Sequence, residues 1–453
     1  MRLRRWGALL TALTLLCAFG TAAASDESWF PLQDCHRVTL DYTDSTQDNG
    51  SVIRRWEAKT AQSAVDAEIN GLVEDFAQEL GPALPKGANK TSRSSRADIE
   101  IRYSRTGMHW LSFLVQARVS YHRNPTGQRI ASRTYDMDLG RRILLTDIFA
   151  EDSAAWDLLA DAVQTTVTAY FPEQEPDAGA LAEAVSREGL EQAEFTLHGM
   201  SMTLHYPAET FYPEAHTLIE VTLMYPDIRP YMTDEARFET DNAAYYRFAA
   251  LTFDDGPTRT NTTLVLQNLM KAGARGTFFV IGNRVKGYQD LVQREHDEGH
   301  AIGGHNWHHG NVAKSSGTAL RAMPAKVDAA LTAAIGIPSR YDRVPHGQYP
   351  VMEKAKVGWA YIQWSLDTYD WRGRNTATIL KEVQKQASDG DIILMHDIKD
   401  KTPETALAVA QWLQENGFML LTVDELFAKD GIELQPDHTY WHNADGDTGI
   451  KKK

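Results

Sequence analysis

The chain has 453 residues, is 43% hydrophobic and carries a formal net charge of −15. Such a length exceeds one average domain, and the apolar content suffices for two cores. The acidic balance excludes a general nucleic-acid-binding role, because phosphate contacts need a basic face.

The first residues, from Met1 to Ser25, carry Arg2, Arg4 and Arg5, then an apolar stretch from Trp6 to Phe19, then Ala22, Ala23 and Ala24. Basic, apolar and small residues in that order predict a secretory signal over 1–24 and a secreted or envelope-associated protein. An uncleaved membrane anchor is the alternative, since residues 6–24 approach a bilayer-spanning length. Cys35 would be the sole cysteine after cleavage, so no intramolecular disulfide is expected and Cys35 reads as a small buried residue.

Residues 25–235 mix strand and helix patterns and predict a smaller α+β domain. Ala64, Val65, Ile69, Leu72, Val73, Phe76 and Leu80 recur at helical spacing, predicting a helix over 61–80 that Gly81 and Pro82 stop. The polar stretch 85–96 reads as a loop. Phe113, Val115, Ala117, Val119 and Tyr121 alternate with polar residues as a half-buried strand does, and residues 124–127 read as the hairpin turn into a strand over 129–137. An apolar segment at 145–149, a helix over 154–163 and strands at 195–197, 202–206 and 218–224 follow. His109, His122, His198, His205 and His216 show no ligand spacing and read as surface or core residues. Residues 226–240, with two prolines and several charges, read as a linker.

Residues 236–430 alternate strand and helix patterns. Strands are expected at 248–253, 276–281, 300–304, 359–365, 391–396 and 419–422, with helices between them at 262–272, 288–298, 319–334, 376–388 and 404–416. This alternation predicts an α/β domain, a parallel sheet wrapped by helices and open or closed into a barrel, with active residues where strands end. Residues 431–453 read as a polar, peripheral tail.

Asp254 and Asp255 end the first of these strands, before Gly256 and Pro257, and His305 and His309 follow the third. One carboxylate with two imidazoles offers three protein ligands to a divalent ion and leaves positions open for water, the layout of a hydrolytic site. Successive strand side chains point to opposite sides, so the two aspartates are expected to do different jobs. Further groups lie near the ends of later strands: Arg343 to Gly347, Asp367 with Asp370 and Trp371, and His396 with Asp397.

With these motifs the chain resembles the polysaccharide deacetylase family, which shares the chitooligosaccharide deacetylase homology domain of carbohydrate esterase family 4, over about residues 246–427. The signatures are residues 252–257, 305–309, 343–347, 367–371 and 394–397. The resemblance implies a distorted (β/α) barrel and metal-dependent removal of acetyl groups from sugars. It implies Asp255, His305 and His309 as metal ligands, Asp254 as base and His396 as acid. Arg343 would hold Asp254 and Asp370 would hold His396, while the peptide N–H of His346, with Trp371 and Leu394, would serve the oxyanion and the substrate. Zinc is the favoured ion, with cobalt and manganese as alternatives. The chain departs from the family pattern at His346, where many relatives have Tyr, and at Gly310 and Asn311, where they have Pro and Asp.

The 25–235 segment resembles a small extracytoplasmic domain of lysozyme-sensing anti-sigma factors and of some cell-wall deacetylases, which implies a wall or protein partner. Together the resemblances imply a secreted deacetylase whose substrate is peptidoglycan. Chitin oligomers or acetylxylan are the alternative substrates, and a non-catalytic wall- or lysozyme-binding protein is the alternative class. His300 and His308 read as packing or groove residues, Trp307 and Trp364 as buried aromatics, and Asp367 as a possible brace of its loop.

Overall fold

A computed structural model describes residues 29–84 and 95–442. The expected signal over 1–24, most of the 85–96 loop and the last part of the tail lie outside these residues. Among the described residues no helix is long and apolar enough to cross a membrane.

The N-terminal half opens with a six-stranded sheet in sequential order: β1 (Thr39–Thr46), β2 (Val52–Lys59), β3 (Ser95–Thr106), β4 (Trp110–Tyr121), β5 (Asn124–Asp136) and β6 (Arg141–Ile143). The helix Ser63–Leu80 lays Val65, Ile69, Val73 and Leu80 into one core with Ile53, Trp56, Ile99, Phe113 and Val115. Each such aliphatic side chain contributes about 1.5–3 kcal/mol on full burial. A second core forms where the helix Ala155–Tyr170 packs on the antiparallel strands β7 (Glu194–Leu197), β8 (Ser201–Pro207) and β9 (Leu218–Met224).

Two expectations are corrected here. The β4–β5 hairpin turns at His122 and Arg123, with φ of 55° and 72°, and residues 124–127 already belong to β5. A bulge between Val119 and Ser120 shifts the register, so the turn comes earlier than Asn124 and Gly127 suggest. Residues 226–240 are no open linker. They form the short helices Tyr225–Ile228 and Asp234–Glu239, and Ile228, Met232 and Ala236 enter the second core. Met232 is extended between the two helices, so no single period joins these three apolar residues and the surrounding charges dominate the local pattern.

The C-terminal half is built on parallel strands. β10 (Arg247–Asp254) has β15 (Asp391–His396) on one side; on the other it has β16 (Phe418–Leu421) along its first half and β11 (Thr277–Val280) along its last. β11 pairs with β12 (Ala301–Gly304), and Asp342 bridges Gly304 to Tyr361 in β13 (Tyr361–Ile362). The chain then steps into β14 (Leu366–Asp367), which pairs with β15 and closes the ring. The result is a distorted barrel in which single bridges replace full strands along one wall. The residues of β10 from Phe248 to Asp254 are all buried, as expected for a strand covered on both faces.

The segment 431–442, read as peripheral, instead supplies β17 (Thr439–Tyr440), which pairs with β13 at the thin wall. Tyr440 is buried in the barrel core, and Trp441 meets Tyr349 and Trp364 edge-on at 5.0 and 6.1 Å.

The two halves share a buried polar seam. Arg118 of β4 pairs with Glu298 at 2.8 Å and with Glu100, and Arg294 also pairs with Glu298 at 2.8 Å. Burial pushes the Glu298 carboxyl up, but Arg294, Arg118 and Arg102 outweigh it and hold the group below the usual range. Thr217 donates to Asp297 at 2.6 Å, and Arg275 and Ser201 both donate to Glu425.

Candidate metal and acid–base centre

The site lies at the carboxyl ends of β10, β12 and β15, where parallel α/β folds hold their ligands. On β10, Phe253 packs outward against the helices, while Thr252 and Asp254 share the inner face. By alternation Asp255 would face away. Instead the strand ends at Asp254, and Asp255 takes a left-handed backbone (φ 78°) that turns its carboxylate back towards the same histidines. The expectation that the two aspartates point to opposite sides is therefore corrected: a turn, not the pleat, positions the second one.

His305 follows β12 directly, and its Nδ1 lies 2.7 Å from the carbonyl of Arg343. A carbonyl only accepts, so Nδ1 carries the proton and Nε2 keeps its lone pair for a ligand role. That Nε2 lies 3.4 Å from Asp255 Oδ1 and 3.7 Å from Asp254 Oδ2. Left-handed conformations at Asn306 and His309 curl the loop, bringing His309 Nε2 to 3.0 Å from Asp255 Oδ1. One ligand atom from each of Asp255, His305 and His309 lies within 4.8 Å of the others. Asp255 Oδ1 is buried and has no hydrogen-bond donor. A buried carboxylate oxygen facing two imidazole nitrogens without a donated proton fits a cation.

Arg343 is fully buried, and each of its three guanidinium nitrogens donates. It donates to Asp254 Oδ1 at 2.8 Å, to Thr252 Oγ1 at 2.7 Å, and to the carbonyls of Ile362 and Gln363 at 3.0 and 2.8 Å. Its guanidinium lies over the Phe279 ring at 4.0 Å. Asp254 is thereby held through one oxygen, and Oδ2 is left towards the site.

Across the site His396 ends β15. Asp370 binds it twice, accepting from its backbone N–H at 2.7 Å and facing its Nδ1 at 2.8 Å, and accepts from Thr402 Oγ1 at 2.7 Å. Burial works against a charged ring, but Asp370, and beyond it Asp254 and Asp255, raise the His396 pKa above the usual imidazole value.

The remaining residues take more varied places. His346 has a left-handed backbone (φ 59°), and its ring meets that of His309 edge-on at 4.7 Å. Leu394 is buried on β15, two residues before His396 and on the same side of the strand. Trp371 is 45% exposed beside Tyr369 and Arg372. Asp367 braces its own loop by accepting from the Tyr369 N–H at 2.7 Å. Trp307 is partly buried against the barrel core, His300 accepts from the Gly276 N–H, and His308 is an exposed partner of Asn283.

Sequence reasoning gave no role to Thr252, Thr262, Thr402 or Asp397. Thr252 stands in the first signature and could have been singled out as a polar residue on the inner face. Asp397 is fully buried and accepts from Thr262 Oγ1, and a Cβ on Gly256 would come within 2.2 Å of its carboxylate. It packs the Asp255 turn against the end of β15. Thr402 opens a helix and carries no local signal.

The family model described as polysaccharide deacetylase matches residues 242–357. A peptidoglycan-N-acetylglucosamine deacetylase of Bacillus cereus is 35% identical over 188 residues, covering 40% of this chain and 88% of that protein. The chain belongs to the polysaccharide deacetylase family. Within that family, the peptidoglycan-N-acetylglucosamine deacetylase PgdA of Listeria monocytogenes is 35% identical over 207 residues, 46% of this chain and 44% of its own length. The peptidoglycan-N-acetylmuramic acid deacetylase PdaC of Bacillus subtilis is 34% identical over 178 residues, 39% of this chain and 38% of its own. The chain thus spans less than half the length of these two relatives. The solved structure of PdaC is 32% identical, with 40% of this chain and 90% of that one covered and a TM-score of 0.38.

Proposed function

We propose that this protein is a secreted, metal-dependent deacetylase that hydrolyses N-acetyl groups of amino sugars in peptidoglycan and releases acetate. The observation that carries the reading is the convergence of Asp255, His305 and His309 beside an arginine-held Asp254 and an aspartate-held His396. The relatives named for peptidoglycan support the substrate.

Asp255, His305 and His309 would hold the ion, zinc before cobalt or manganese. When bound, a divalent ion supplies Lewis acidity and acidifies water. Asp254 takes the proton as water adds to the acetyl carbon, using the oxygen that Arg343 leaves free. The His346 peptide N–H donates to the oxyanion that develops on the acetyl oxygen. As the carbon–nitrogen bond breaks, His396 gives its Nε2 proton to the departing amine, and Asp370 keeps the Nδ1 proton in place. Leu394 and Trp371 border the acetyl and sugar positions. The N-terminal domain serves a wall or protein contact.

A second substrate reading has one supporting observation, a 29% identical bifunctional xylanase/deacetylase of Pseudobutyrivibrio xylanivorans. Acetate released from purified peptidoglycan, chitooligosaccharide and acetylxylan, each with and without chelator, separates the readings. Chelator-sensitive release from peptidoglycan is expected. Release from acetylxylan alone contradicts the peptidoglycan assignment, and no release from any substrate by the metal-loaded protein favours a binding protein.

A further inference from the structure

Between the tip of the β4–β5 hairpin and the barrel runs a groove of about 540 Å³, bordered by Arg123, Asn124, His216, Lys286 and Gln289. It continues into a recess of about 220 Å³ that shares Arg123 and His216. Neither space belongs to the metal centre, yet Arg259, which borders both, lies on the same loop as Asp255.

Charge is the first indication of its ligand. Arg123 and Lys286 are exposed and have no ion-pair partner among the described residues, whereas Arg259 is neutralised by Asp290. Glu214 is the remaining carboxylate on the groove, and the recess adds Asp98 and Asp297 beside Arg96, Arg118 and Arg294. On a chain of net charge −15, this is a local reversal of sign. The second indication is backbone strain. Two-residue hairpin turns of this kind favour Asn and Gly, because both residues need positive φ. Here His122 and Arg123 occupy them, at 55° and 72°. Large side chains at such positions point to a use for those side chains. The His122 ring stacks on the 38% exposed Tyr121 at 4.0 Å, and of the two turn residues Arg123 borders the groove.

We infer that this groove holds a carboxylate-bearing stretch of the glycan strand, beyond the sugar whose acetyl group meets Asp254. Arg123 and Lys286 would pair with the lactyl carboxylates of a stretch that carries no peptide stems. The inference rests on the proposed function for the identity of the strand, but its test reads binding and not turnover.

The full chain is titrated calorimetrically with a tetrasaccharide of alternating N-acetylglucosamine and N-acetylmuramic acid bearing free lactyl carboxylates, and with neutral chitotetraose. Wild type is compared with the double variant Arg123→Glu, Lys286→Glu and with Arg123→Gln, Lys286→Gln. The charge-reversed variant should bind the carboxylated chain at least about tenfold more weakly, and the glutamine variant should fall between. Chitotetraose binding, chitotetraose deacetylation and melting temperature should be unchanged. Equal affinity of wild type and charge-reversed protein for the carboxylated chain overturns the inference, as does a wild type that prefers the neutral one. Weakened carboxylate binding in a protein that deacetylates nothing would leave the groove standing and remove the catalytic reading.

Discussion

Asp254 and Asp255 are neighbours in sequence but not equivalent in structure. Arg343 secures one, and the other sits between two imidazoles. The same division recurs across the site, where Asp370 governs the protonation of His396. A raised pKa keeps the ring charged to higher pH, so the acid role proposed for it would be lost as pH rises through that raised value. Asp370→Asn removes the partner that raises it. The alkaline limb of the pH profile of kcat should therefore move to lower pH, and kcat should fall by about 10²-fold or more. A pH–rate series on both proteins checks this, and an unmoved alkaline limb would rule out His396 as the acid.

At the scale of elements, the barrel depends on pieces too short to announce themselves. Strands β13 and β14 have two residues each, and Asp342 stands in for a strand by itself. β17 covers this thin wall, and Tyr440 is buried there with its hydroxyl accepting from the Gln435 N–H at 2.8 Å. Tyr440→Ala is expected to destabilise the protein by about 3 kcal/mol in urea unfolding, through the cavity and the loosened strand. A loss within error of zero would mean that β17 does not close the barrel. Legibility in the sequence followed the same division. The long apolar run of β10, the amphipathic helices and the five signatures carry periodic or motif signals, and from them could be read the fold and the set of side chains that the structure brings together at the strand ends. What escaped depended on tertiary partners: the tail strand, the packed 226–240 segment and the inward turn of Asp255. Local polarity outweighed their few apolar residues, and alternation says nothing beyond the last strand residue.

Across the whole molecule, the accessory half is seated on the barrel by buried charge as well as by apolar contact. Arg118 reaches from β4 to Glu298, and Arg105 donates to the carbonyl of Phe418 at 2.6 Å. Removing one member of such a seam leaves a buried charge poorly compensated. Arg118→Ala should cost about 3 kcal/mol in chemical denaturation while leaving kcat on a short oligosaccharide unchanged. Unaltered stability would show that the halves do not depend on this pairing. A fixed seat also gives the hairpin tip a constant position over Arg259 and Lys286, as a groove shared by both halves requires. The central claim is the division of labour within the aspartate pair, and one paired measurement tests it: bound metal by equilibrium dialysis and acetate release from peptidoglycan, for wild type, Asp254→Asn and Asp255→Asn. Asp254→Asn should retain the metal and lose about 10²–10⁴-fold in acetate release, whereas Asp255→Asn should lose both. Metal loss in Asp254→Asn with metal retained in Asp255→Asn would contradict the account.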